Sequence, residues 1–190
     1  MARRRQWAQE TASLEASRLI FLDESGAKTN MTRSYGWGLG GRRVVDAVPH
    51  GPWQTTTMLA AIRVDGVIPD ACLALEGPIT GTVFEQYVRE MLVPTLRPGD
   101  IVVMDNLASH KSKAVIAAIE AAGAQLWYLP PYSPDLNLIE RMWSKIKALL
   151  NKTKARVQTS LYDAIGAALR TVTAMELAHY YAAAGYATNE

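Results

Sequence analysis

Apolar positions along the chain change period several times, and each change marks an element. Leu19-Ile20-Phe21-Leu22 is an unbroken apolar run closed by Asp23, the pattern of a buried strand over Arg18 to Asp23. Trp37 to Val48 reads as a second strand region, rich in glycine at its start. A third strand, Thr55 to Val64, meets Asp65-Gly66, the dipeptide favoured in tight hairpins, so the chain is expected to fold back through Val67 to Leu75. After Gly77-Pro78, residues Val83, Phe84, Tyr87, Val88, Met91 and Leu92 recur at helical spacing until Pro94 and Pro98-Gly99 stop them. Ile101 to Met104 is another apolar run, closed by Asp105. Lys113 to Ala122 is an alanine-rich helix ended by Gly123, and Gln125 to Leu129 a strand ended by Pro130-Pro131. Strand, helix and strand of that length imply a right-handed parallel crossover. Ile139, Met142, Ile146 and Leu149 then share one helical face, and Leu161 to Val172 and Met175 to Tyr181 are closing helices.

The pattern predicts an α/β fold: a mixed sheet, antiparallel meander first and parallel strands after, flanked by helices. Residues 1–17 form a basic, helix-prone lead-in anchored only by Trp7 and Leu14, and residues 18–190 a single domain. A chain of 190 residues can bury a full core without disulfides. The single cysteine, Cys72, excludes an internal disulfide and a multi-cysteine zinc site, which fits a reducing cytosol. His50, His110 and His179 have no metal-ligand spacing, and no apolar stretch reaches the length of a membrane span. Net charge is only +2, but its placement is uneven. Arg3, Arg4 and Arg5 cluster at the start, and Arg141 to Arg156 holds six basic residues and no acidic one. Such a segment can displace counterions from a polyphosphate backbone; it would also serve as a solvated helix face.

Candidate chemistry rests on three carboxylates. Asp23 and Asp105 close apolar strands, where ligand sites of such sheets lie, and Glu140 opens a helix with thirty-four residues between it and Asp105. Carboxylates brought together repel unless a cation neutralises them. Magnesium or manganese takes such oxygen ligands, and two ions about 3.5–4 Å apart can clamp both oxygens of a phosphoryl displacement. Water or a nucleic-acid 3′-hydroxyl then attacks, with no protein nucleophile. Simpler roles are open for each residue: Asp23 with Ser25-Gly26 could shape a turn, and Asp105 could cap its loop through Asn106. Asn137-x-x-Glu140 has the arrangement of a capping box. Glu140, Ser144, Lys147, Asn151 and Lys154 advance by four, three, four and three, one polar stripe along a helix on which a phosphate backbone could lie. His110 could contact a phosphate or assist proton transfer, or be an ordinary loop histidine. Gly36-x-Gly38-x-x-Gly41 matches a dinucleotide-binding pattern, but strand-like Arg42 to Val45 follows it instead of a helix. Trp127, Tyr128 and Tyr132 could stack on a base, although the first two lie in a strand and suit the core better.

Three segments carry a family resemblance: Phe21-Leu22-Asp23-Glu24-Ser25-Gly26, Val102 to Lys111 with Asp105-Asn106-Leu107-Ala108-Ser109-His110-Lys111, and Leu129-Pro130-Pro131-Tyr132-Ser133-Pro134-Asp135-Leu136-Asn137-Leu138-Ile139-Glu140. They resemble the catalytic segments of bacterial insertion-sequence transposases of the Tc/mariner superfamily, specifically the IS six-thirty family, from about residue 18 to the C-terminus. The resemblance implies a ribonuclease-H-like fold and a DDE triad on Asp23, Asp105 and Glu140. It also implies cleavage and strand transfer at transposon ends with two magnesium or manganese ions. DNA would be the partner, contacted through His110, Lys111, Arg141, Ser144, Lys147 and Lys154 by a homodimer, in a bacterial cytoplasm and at the nucleoid when bound. Two features depart from the family: Leu138 stands where proline is usual, and no room exists before residue 18 for the helix-turn-helix region that reads inverted repeats. A related nuclease of the same fold, such as a ribonuclease H or a junction resolvase, and a non-catalytic DNA-binding regulatory fragment are the alternatives.

Overall fold

The computed structural model describes residues 2–50, 52–131 and 133–186. Its centre is β1 (Leu19–Lys28), flanked by β2 (Thr55–Arg63) antiparallel and β5 (Ile101–Met104) parallel. β6 (Gln125–Tyr128) lies parallel to β5 on the outside. On the other side β3 (Gly66–Val67) and β4 (Leu73–Glu76) pair successive stretches of β2, giving the order β3-β2-β1-β5-β6 with β4 also beside β2. The expected fold-back over Val67 to Leu75 is therefore two short strands. A turn at Pro69–Ala71 parts them, since proline has no N–H to give a ladder.

Two expectations need correction. β1 does not stop at Asp23 but continues to Lys28, because Ser25 and Ala27 keep the inward alternation while Gly26 and Lys28 point out. Asp23 thus sits within a strand. Trp37 to Val48 forms no strand. β2 is paired on both sides, and the β5 ladder along β1 ends at Phe21 without this segment taking up the edge beyond it. Gly40 and Gly41 turn through φ 63° and 72°, which also breaks extension, and Tyr35, Trp37 and Leu39 are more than nine-tenths exposed.

Helices cover both sheet faces, as alternation along the strands requires. Leu19, Phe21, Ile101 and Val103 point to one side, against Trp143 and Ile146 of α4 (Ile139–Thr153), Leu161 and Ile165 of α5 (Gln158–Leu169) and Tyr181 of α6 (Ala174–Ala183). Ile20, Leu22, Val102 and Met104 point to the other, against Phe84 of α2 (Gly81–Tyr87), Val88 in its π-helical continuation, and Val115 and Ile119 of α3 (Lys113–Ala121). α1 (Ala2–Thr11) docks through buried Trp7, whose indole N–H donates to the Tyr186 hydroxyl at 3.1 Å, and through Arg4, which donates to Asp135 at 2.8 Å. A buried Arg63–Asp100 pair, 2.9 Å and 2.6 Å at its two hydrogen bonds, ties the end of β2 to the start of β5. No helix among the described residues is long and apolar enough to cross a membrane.

Candidate active site

Strand register brings the first two carboxylates together. Leu19, Ile20 and Phe21 lie opposite Ile101, Val102 and Val103 in parallel pairing, which brings Asp23, two residues further along β1, and Asp105, just past the end of β5, to the same end of the sheet and the same cavity. Both follow the parity of Phe21 and Val103, which face α4. α4 lies on that face because Ile139, Met142, Trp143 and Ile146 bury against it, and this places Glu140 at the helix's second residue over the same edge. The three carboxylates line one cavity of about 470 Å³, together with Asn106, Pro131 and Asn137.

Asp23 is the most perturbed of the three. Burial pushes its carboxyl up from 3.8 to about 7, the charge of Glu140 adds to this, and Asp105 adds less; the Glu24 backbone N–H and the Asn137 amide oppose the rise. Asn137 Nδ2 donates to Asp23 Oδ2 at 3.2 Å. The capping box that Asn137-x-x-Glu140 has the arrangement to form is therefore absent. The residue before α4 is Leu138, no side chain caps the helix, and buried Asn137 turns toward the sheet. Its Oδ1 is buried with no partner among the described residues.

Asp105 is held from behind. Its Oδ1 accepts the Leu107 N–H at 3.1 Å and lies 2.7 Å from His110 Nδ1, an ion-pair contact that is off line for a directed hydrogen bond. His110 Nε2 is 3.3 Å from Glu24 Oε1, and its ring stacks on Phe84 at 4.3 Å between centroids. Burial works against charging this imidazole, but Asp105 and Glu24 outweigh it and lift the ring to about 9. His110 thus points inward, with only 2% of its surface exposed.

The other expected DNA contacts divide. Arg141, Ser144 and Lys147 stand on α4 beside Glu140 and Asn151, although the Ser144 hydroxyl donates back to Glu140 O at 3.0 Å. Lys154 leaves the stripe: it follows the last helical turn in a left-handed conformation, φ 55°, and pairs with Asp46. Lys145 is held by Glu176 at 2.7 Å and Arg156 by the Met31 carbonyl at 2.8 Å. Among the described residues Arg141, Lys147 and Lys152 have no ion-pair partner. Lys111 is exposed, its ammonium 5.8 Å from the centre of the Tyr128 ring. Trp127 packs edge-on against Trp7, and the Tyr128 hydroxyl donates to His110 O at 2.9 Å, so both serve the core; Tyr132 lies outside the described residues. Sequence reasoning missed Glu24 and the inward roles of His110 and Asn137. Glu24 was signalled only by its place next to Asp23.

Among the described residues no three His, Cys, Asp or Glu side chains stand close enough to ligate one ion together as they are. The donor set still suits a hard divalent cation: three carboxylates on one cavity, the most buried of them held toward its neutral form by burial and then by the charges of Glu140 and Asp105.

A family model described as DDE superfamily endonuclease matches residues 18–161. No curated protein sequence matches the chain. Among solved structures, the pre-cleavage Mos1 transpososome superposes with a TM-score of 0.76 at 15% identity, over 97% of this chain and 58% of that one. The Mos1 strand transfer complex gives 0.71 at 18%, over 95% and 56%. The Mos1 transposase catalytic domain with raltegravir and magnesium gives 0.65 at 14%, over 98% and 96%. The chain thus spans a little over half of the transposase chains in the first two and nearly all of the catalytic-domain chain. At these identities the likeness is one of fold, the ribonuclease-H-like mixed sheet of transposase catalytic domains. Together with the matched segment, which contains Asp23, Asp105 and Glu140, it places the chain in the DDE superfamily of endonucleases.

Proposed function

We propose that residues 18–190 are the catalytic unit of a transposase, with Asp23, Asp105 and Glu140 as the triad and α1 as its lead-in. In this reading it hydrolyses a phosphodiester at an element end and joins the freed 3′-hydroxyl to target DNA. The observation that carries this is the single cavity that Asp23, Asp105 and Glu140 line at one end of β1 and β5, in which burial first and then the charge of Glu140 lift Asp23 to about 7. The Mos1 complexes with transposon ends, including paired-end complexes with manganese and with magnesium, support the same reading for this fold. The three segments quoted above favour the IS six-thirty family of bacterial elements.

Asp23, Asp105 and Glu140 would hold magnesium or manganese, two ions in our reading. The chemistry such ions supply is Lewis-acid activation of the attacking oxygen and neutralisation of charge at the phosphate. The chain's own residues do the rest. The sheet fixes Asp23, His110 and the Leu107 N–H hold one oxygen of Asp105, and Arg141 and Lys147 lie along α4 where a phosphate backbone would pass. A second cavity of about 260 Å³ shares Asn106 and Pro130 with the first and is walled by Arg3 and Gln6 of α1, away from the carboxylates. The loop carrying Tyr35, Trp37 and Leu39 is an exposed apolar surface suited to a second copy, consistent with a homodimer on DNA.

Incubation of the protein with a labelled duplex carrying the element end, in magnesium or manganese, tests this. Cleavage and joined product are expected, and both should vanish with alanine at Asp23, Asp105 or Glu140. Activity surviving those changes sinks the proposal, and cutting without joining would assign a nuclease of the same fold instead.

A further inference from the structure

Asn137 stands two residues before α4, and although its carbonyl accepts the Glu140 N–H at 3.1 Å, its side chain does not cap that helix. It is 95% buried (5% exposed), its amide N–H is directed at Asp23 Oδ2, and its Oδ1 is sealed from solvent with no partner among the described residues. A buried orphan carbonyl is a standing cost to the fold, so a side chain kept there for packing alone would be better apolar. We infer that Asn137 is a positioning residue for Asp23: it pins Oδ2 and so fixes the carboxylate that lines the cavity with Glu140 and Asp105. This rests on the proposed divalent-ion reading of the carboxylates and adds a residue to it. Asn137 provides for Asp23 what Leu107 N–H and His110 provide for Asp105, one engaged oxygen on each carboxylate. The supports differ in kind: a neutral amide from the helix side, and backbone with imidazole from the far side of the sheet.

The test is Mn²⁺ affinity without DNA, read by titration calorimetry, alongside thermal unfolding in the absence of metal, for wild type, Asn137→Leu, Asn137→Ala and Asp23→Ala. Loss of a residue that orients a metal-binding group typically weakens affinity by about 10- to 100-fold. Asn137→Leu should show that loss while unfolding at the wild-type temperature or above, because it removes the orphan acceptor and keeps the volume. Asn137→Ala should lose affinity similarly and melt lower. A merely structural Asn137 predicts the opposite split, lower stability with unchanged affinity in the folded fraction, and that result overturns the inference. So does failure of both variants to fold. Wild-type protein that binds no Mn²⁺ through Asp23 overturns this inference and the divalent-ion reading together. Wild-type binding that Asn137→Leu leaves intact overturns this inference alone.

Discussion

Replacing Asp23 by asparagine should stabilise the fold, and the gain should depend on pH. The carboxyl titrates near its ordinary 3.8 in the unfolded chain and at about 7 in the fold. Between those values the folded chain keeps a proton that the unfolded chain has released, so stability falls as pH rises, by about 1.4 kcal/mol for each pH unit. Below 3.8 both states hold the proton and the penalty is absent; above about 7 both have lost it and the penalty is complete. The interval sets it at about 4 kcal/mol. Asp23→Asn removes it while preserving shape. Urea unfolding followed by circular dichroism, without divalent ions, should therefore show the variant more stable by up to about 4 kcal/mol near pH 8, with the difference closing toward pH 4. Glu140→Gln should recover part of the gain, since the charge of Glu140 is the larger of the two carboxylate contributions. A variant no more stable than wild type near pH 8, or a gain equal at both ends of the range, would refute the account of Asp23 as a buried carboxylate in conflict with its neighbours.

Other outcomes follow from single contacts. Arg63→Met should cost about 3–5 kcal/mol in urea unfolding, because it strands Asp100 in the core; a loss under about 1 kcal/mol would contradict that. Arg141→Glu and Lys147→Glu should each weaken duplex binding in fluorescence anisotropy and lower the salt dependence by about one counterion, whereas Lys154→Ala, already paired with Asp46, should leave both unchanged. Leu138→Pro should be tolerated within about 1 kcal/mol, since Leu138 has φ −62° and Asn137 before it, at φ −87° and ψ 83°, is already outside the helical region. Leu138→Ala, which empties a buried site, should cost about 2–5 kcal/mol by the same measurement.

Residues whose partners are near in sequence were legible; those whose partners come from elsewhere were not. The apolar runs at Leu19 and Ile101 and the helical spacing from Val83 and from Ile139 each state their own period, and the structure has those elements. Trp37 to Val48 carries enough valine and tryptophan to read as a strand, but a ladder needs an extended backbone, and Gly40 and Gly41 turn the chain out of one. Asn137 shows the same limit at the scale of one side chain. Locally it is an ideal cap three residues before a glutamate, and only the nearness of Asp23, more than a hundred positions earlier, turns it away. His110 likewise looks like a loop residue until Phe84 and Glu24 are brought around it.

Asp23 lies inside a strand, opposite Ala60 of β2, so its backbone is held by a ladder laid down when the sheet forms. Asp105 follows a strand end and Glu140 rides on a helix seated by side-chain packing. The three therefore differ in freedom: one is stationary, one can shift with its loop, and one with its helix. Any tightening of the cavity around a cargo must come as the second and third approach the first. Substitutions that loosen the seat of α4 against the sheet should consequently alter the geometry of catalysis before they threaten the fold.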